Sequence, residues 1–107
     1  MKKFPLEVRP SLLPLIPLFL EKMFTEHEKL ITAIKSSDVD QLVFLCHANK
    51  GAAAIYGCHT LGQMFQDLED CARLANWEQS ISLVKEIDIY LTSLSDNCRC
   101  TGIKNKD

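Results

Sequence analysis

The 107-residue chain has few of the residues that build sheets and tight turns. It contains four glycines, and aromatic residues make up 7% of it. Leu, Ile, Lys, Glu and Ala dominate instead, which favours helices over a sheet, and no stretch alternates apolar and polar residues as a half-buried strand would. Positive charge is not in excess: Lys and Arg number 12 against 14 Asp and Glu. The net charge is -2 and no basic stripe appears, which argues against a nucleic-acid binder. Long apolar runs are missing: no segment reaches the roughly 20 residues needed to span a bilayer. The opening "MKKFPLEVRPSLLPLIPLFL" has the outline of a signal peptide, with two lysines followed by an apolar run. Pro10, Pro14 and Pro17 interrupt that run, no small-residue cleavage site follows, and it passes directly into a charged amphipathic segment, so no signal peptide is expected.

Cysteines are present but carry no evident framework. Cys46, Cys58, Cys71, Cys98 and Cys100 are odd in number and are read as reduced thiols of a cytosolic protein. Cys46-His47 and Cys58-His59 suggest a metal site as text. Adjacent helical residues point about 100° apart, however, so neither pair can chelate one ion. No two cysteines have the two-residue separation of a zinc knuckle. Neither a metal nor a cofactor is therefore expected, and Cys46 is assigned to the core as a small hydrophobe.

What the chain does contain is amphipathic periodicity. Its length allows one domain with one core, here residues 1–107 with a helical core over about 12–95 and a polar, frayed tail over 96–107. The spacing predicts a first helix over Leu12–Lys35, with Ile16, Leu20, Met23, Leu30 and Ile34 on one stripe; Pro14 and Pro17 sit where a missing N–H costs little but can delay the first turn. Asp38 is a good N-cap for a second helix over Val39–Ile55, with Gln41 placed to complete a capping box. Gly57 breaks the chain. A third helix is predicted over Cys58–Leu74, carrying Leu61, Phe65, Leu68 and Ala72. Asn76 caps a fourth over Trp77–Leu94, whose stripe of Trp77, Ile81, Val84, Ile87, Leu91 and Leu94 is the clearest in the chain. Four such helices joined by short links define an all-α protein, an antiparallel up-down-up-down four-helix bundle.

One stretch of the second helix is not explained by packing. At about 100° per residue, Leu42, Cys46, Asn49 and Ala53 share a core face, and His47 falls about 140° away from it. His47 therefore projects outward, with Val43, Phe44, Lys50, Gly51 and Ala54 as helical neighbours. A glycine at mid-helix costs about 0.5–1 kcal/mol relative to alanine. A surface position gives no packing reason for that cost, whereas clearing space beside the imidazole does. A neutral imidazole has a free ring nitrogen that can attack an electrophilic phosphorus, and Lys50, one turn away, can attract phosphoryl oxygens. Phe44 on the same exposed side suits a docking surface. The plainer reading is that an exposed histidine one turn from a lysine does nothing.

"HANKGAAAIYG", His47 to Gly57, resembles the signature of histidine-containing phosphotransfer (HPt) domains: His, two residues, Lys-Gly, five residues, Gly. "LIPLFLEKMFTEHEKLITAIKSSDVDQLVFLCH" is similar to the family's first helix, turn and approach to the histidine. Leu61 and "LED" at Leu68–Asp70 resemble the third-helix pattern, and "ARLANWEQSISLVKEI" the turn into the fourth. The resemblance covers about Leu15–Leu94. It implies a four-helix bundle that carries a phosphoryl group on one exposed histidine. His47 would be the phospho-acceptor, Lys50 would stabilise the phosphoryl charge, and Gly51 would keep the site open. The implied partners are receiver domains of a hybrid sensor kinase and a response regulator. They would dock on Val43, Phe44 and Ala54 and supply Mg²⁺ and most of the catalytic groups, so the chain is expected to be a carrier and not an enzyme. No glycine-rich phosphate loop of the Walker type is present, so it is no kinase by itself. A cytoplasmic monomer is expected. The sequence departs from the family at Asn49, where an apolar residue is usual; on the core face it needs a buried partner.

The other histidines have plainer readings. His27 lies on the stripe of the first helix and is assigned to a core or boundary position held by a hydrogen bond. His59 is assigned to solvent. Two other function classes remain alongside the relay: a helical adaptor or oligomerisation module with an inert histidine, and a redox- or metal-responsive bundle using the cysteines.

Overall fold

The computed structural model describes residues 7–100. A 3-10 turn, Pro10–Leu15, leads into α1 (Ile16–Lys35), followed by α2 (Val39–Tyr56), α3 (His59–Arg73) and α4 (Trp77–Cys100). Among the described residues there is no strand. α1 packs on α2 and α4, and α3 packs on the same two. The helices thus ring one core in chain order, antiparallel to their neighbours, with α2 and α4 diagonal to each other. Ile16, Met23 and Leu30 of α1 meet Leu42, Cys46 and Ala53 of α2, Leu61, Phe65 and Leu68 of α3, and Ile87, Tyr90 and Leu91 of α4, all buried. This is the bundle that the periodicity predicts.

The boundaries show which local signals win. The first helix begins later than Leu12: Pro14 lies inside the 3-10 turn, and α1 starts at Ile16 with Pro17 in its first turn, where its missing N–H needs no partner. Asp38 caps α2, accepting from the Gln41 amide at 3.1 Å. Asn76 caps α4 in the same way, accepting from the Gln79 amide at 3.1 Å. The fourth helix does not end at Leu94 but continues to Cys100. Leu94 is still in the core, and no glycine or proline follows it before Gly102, so nothing stops the helix. Residues 96–100 are therefore helical and not a frayed tail; residues 101–107 lie outside the described residues. The stripe of α4 is also rotated from its predicted position. Ser80, Val84, Ile87, Tyr90, Leu91 and Leu94 are buried, while Ile81 is 44% exposed and Trp77 is half-buried.

The cap of α3 comes from elsewhere in the chain. Cys58, at its N-cap position, makes no capping bond. Instead the Glu7 carboxylate accepts from the Thr60 amide at 2.8 Å and from the Thr60 hydroxyl at 2.9 Å. This satisfies an orphan donor and places a negative charge at a helix N-terminus. The Arg9 amide donates to the Tyr56 carbonyl at 2.9 Å, drawing the N-terminal segment over the α2–α3 link. Gly57 is required there twice over. Its φ is +83°, and an added Cβ would come within 3.0 Å of both the Arg9 side chain and the Glu7 carbonyl.

The α1–α2 and α3–α4 links each turn on a residue in the left-handed region, Ser37 (φ 51°) and Ala75 (φ 53°). That conformation costs an L-residue roughly 1–2 kcal/mol and is where glycine usually ends a helix. Ala75→Gly is accordingly expected to raise stability by about 0.5–1 kcal/mol, read as a higher denaturant midpoint with an unchanged slope.

Candidate functional site

α2 divides cleanly into two faces. Leu42, Leu45, Cys46, Asn49 and Ala53 are buried, while Phe44, His47, Ala48, Gly51, Ala54 and Ile55 are exposed and Val43 is half-buried. His47 thus stands on the outer surface. Its neighbours along the helix are alanines, a glycine and, one turn before it, Phe44, which is 66% exposed.

Lys50 does not stand free beside the imidazole. It is half-buried, and its Nζ donates to Oε1 of Gln66 on α3. The Gln66 amide in turn donates to Oδ1 of Asp70 at 3.0 Å. The ammonium group is held at the α2–α3 seam, one turn from His47. Sequence reasoning missed Gln66: nothing in one dimension pairs residues 50 and 66, because the pairing arises from the antiparallel packing of two helices.

No atom among the described residues explains Gly51. An added Cβ there would meet nothing within 4 Å beyond its own helix. Its φ is not in the left-handed region either. Neither packing nor backbone conformation calls for a glycine.

Asn49 lies where the helical wheel puts it, in the core and 2% exposed. Its amide nitrogen donates to Oε1 of Glu26 on α1 at 3.0 Å and to the Leu45 carbonyl at 2.8 Å. Glu26 is itself buried, and Lys29 holds its other oxygen at 3.0 Å. Burial pushes the Glu26 carboxyl up, but the Asn49 amide, Lys29 and Lys22 outweigh it and hold the group below its usual value. The residue that departs from the family pattern is therefore bound to a charged group on α1. Glu26 was not singled out from the sequence; a lone glutamate among apolar stripe residues was its one signal.

Beneath the site, Glu69 of α3 is buried, and Arg73 donates to its Oε2 at 2.7 Å. Its Oε1 has no hydrogen-bond partner among the described residues. Burial and the charge of Glu69 push the Cys46 thiol up to about 12, which leaves it an unreactive core residue. His27 is half-buried, with Nε2 3.0 Å from the Val84 carbonyl, the hydrogen-bonded boundary position assigned from the sequence. His59 is exposed. Among the described residues, no three of His, Cys, Asp and Glu gather to hold a metal ion, and no helix is long and apolar enough to cross a membrane.

The chain matches the Hpt domain family over residues 14–97 and belongs to it. No curated protein and no solved structure matches the chain. Hpt domains are phosphotransfer carriers of two-component signalling, and the chain is a phosphotransfer module of that kind.

Proposed function

We propose that His47 carries the phosphoryl group, accepting it from a receiver-domain aspartate of a hybrid sensor kinase and passing it to the receiver domain of a response regulator. The observation that supports this most is the exposure of His47 on a face of α2 that presents small residues, in a chain of the Hpt family. In the forward step the unprotonated ring nitrogen, Nε2, attacks the phosphorus while Nδ1 keeps its hydrogen. The bond from phosphorus to the aspartyl oxygen breaks, and the carboxylate leaves with the electron pair. Lys50 lies within one turn to attract the phosphoryl oxygens, and its Gln66 partner limits where the ammonium group can stand. The receiver domain supplies Mg²⁺ and most of the catalytic groups. Docking falls on Val43, Phe44 and Ala54; Ile55, 64% exposed one turn beyond Gly51, widens the same face. Such partners place the protein in the cytoplasm.

The test is incubation with a receiver domain phosphorylated on its aspartate with radiolabel. The expected product is label on this chain that is lost in acid and retained in alkali. An adaptor with an inert histidine would bind the receiver and take up nothing. Two variants examine the neighbours. Lys50→Ala is expected to slow transfer by about tenfold, the loss of one charge-assisted contact, with stability changed by no more than about 0.5 kcal/mol. Gly51→Leu is expected to fold normally and to weaken receiver binding, since a Cβ at this exposed position meets nothing within 4 Å among the described residues beyond its own helix. Normal transfer by either variant would remove that residue from the site.

A further inference from the structure

Away from His47, the bundle leaves an apolar face without a partner. Ile81 and Ile89 of α4 are 44% and 40% exposed. With Val84 and with Ile31 and Ile34 of α1 they line a groove of about 440 Å³ running between the two helices. Its floor is fixed, because the His27 ring bonds to the Val84 carbonyl and ties α1 to α4. Isoleucines set side by side around a preformed groove are the kind of exposed apolar surface that marks an interface. None of the bundle's own helices covers it, since α2 and α3 pack on the opposite sides of α1 and α4.

The charges beside the groove indicate what covers it. Lys35 lines it from α1, and Lys85 and Asp88 line it one helical turn apart on α4; neither of these two makes an ion pair among the described residues. A two-fold axis crossing α4 between residues 86 and 87 would run two copies of the helix antiparallel. Lys85 of each copy then faces Asp88 of the other, and Ile89 of each faces Val84 of the other. A closed two-fold interface requires this reciprocity, in which one patch is complementary to itself. An apolar small molecule in the groove would leave both charges unanswered, whereas a second copy satisfies each of them.

We propose that the α1–α4 face is a homodimer interface, centred on α4 and sealed by reciprocal Lys85–Asp88 pairs. This departs from the monomer expected from the sequence. Because α2 lies diagonally across the bundle from α4, His47 of each copy stays open to solvent, and a dimer would present two such faces at once.

The experiment is sedimentation equilibrium of the full chain from about 10 μM to about 1 mM, in the range of a weak interface. A concentration-dependent rise to twice the monomer mass is expected. Lys85→Asp and Asp88→Lys, each alone, set like charges against each other and should raise the dimer Kd by about tenfold. The double variant Lys85→Asp/Asp88→Lys restores opposite charges with reversed polarity and should recover the Kd to within about threefold of the wild type. Ile89→Lys should give a monomer throughout. All three sites are exposed, and circular dichroism on each variant checks that the fold is intact. A wild-type chain that stays monomeric at about 1 mM overturns the proposal. So does a dimer indifferent to Ile89→Lys, or a double charge swap no better than the single variants.

Discussion

His47→Gln is expected to take up no phosphoryl label from a phosphorylated receiver domain, while its unfolding transition is expected to match that of the wild type to within about 0.5 kcal/mol. The two halves of this result have separate causes. The side chain is exposed and no hydrogen bond among the described residues holds it, so its removal costs the fold little. The glutamine amide nitrogen is not a nucleophile, because its lone pair is delocalised into the carbonyl. No other histidine can replace His47. His27 is half-buried and bonded to the Val84 carbonyl. His59 is exposed but sits at the start of α3, away from Lys50 and the small-residue face of α2. Uptake should therefore fall below detection and not merely slow down. Label that persists on His47→Gln would move the acceptor elsewhere.

The second large effect concerns the buried polar pair beneath the site. Asn49→Leu is expected to destabilise the bundle by about 2–3 kcal/mol, although it restores the apolar residue usual in the family. The penalty comes from Glu26, which stays buried and charged while its Oε1 loses its donor. Replacing both residues, as Glu26→Leu/Asn49→Leu, should return stability to within about 1 kcal/mol of the wild type, because a buried polar pair exchanged for a packed apolar pair is often neutral. The double-mutant cycle therefore shows strong coupling. The pH dependence follows from the same contacts. Because the folded pKa of Glu26 lies below its usual 4.5, its contribution is fully present above that pH and is lost as pH falls through the lowered folded value. Glu26→Gln should flatten this acid limb. An acid limb identical to that of the wild type would show that Glu26 is not charged in the folded bundle.

The four helices and the outward direction of His47 were legible because both depend on one helix at a time. Periodicity fixes which face of a helix turns inward, and that placed His47 outside and Asn49 inside correctly. What was not legible depends on two helices together. The Gln66 partner of Lys50, the Glu26 partner of Asn49 and the Glu7 cap on α3 each join residues of different elements, and a wheel carries no information about the neighbouring helix. Ile81 shows the same limit from another side. It fits the stripe of α4 by spacing, yet the crossing with α1 turns Ser80 inward and leaves Ile81 at the surface. The missed end of α4 is different again: polar residues were read as a stop, but without glycine or proline a helix anchored by Leu94 can continue through them.

The proposed relay depends most on which atom receives phosphorus. The direct measurement is a long-range proton–nitrogen correlation spectrum of the uniformly labelled chain, taken before and after phosphorylation by a receiver domain. The ring resonances of His47 should move, with the change at Nε2 marking the new bond, while those of His27 and His59 keep their positions. A shifted His59 ring, or phosphorylated chain with all three imidazole patterns unchanged, would contradict it.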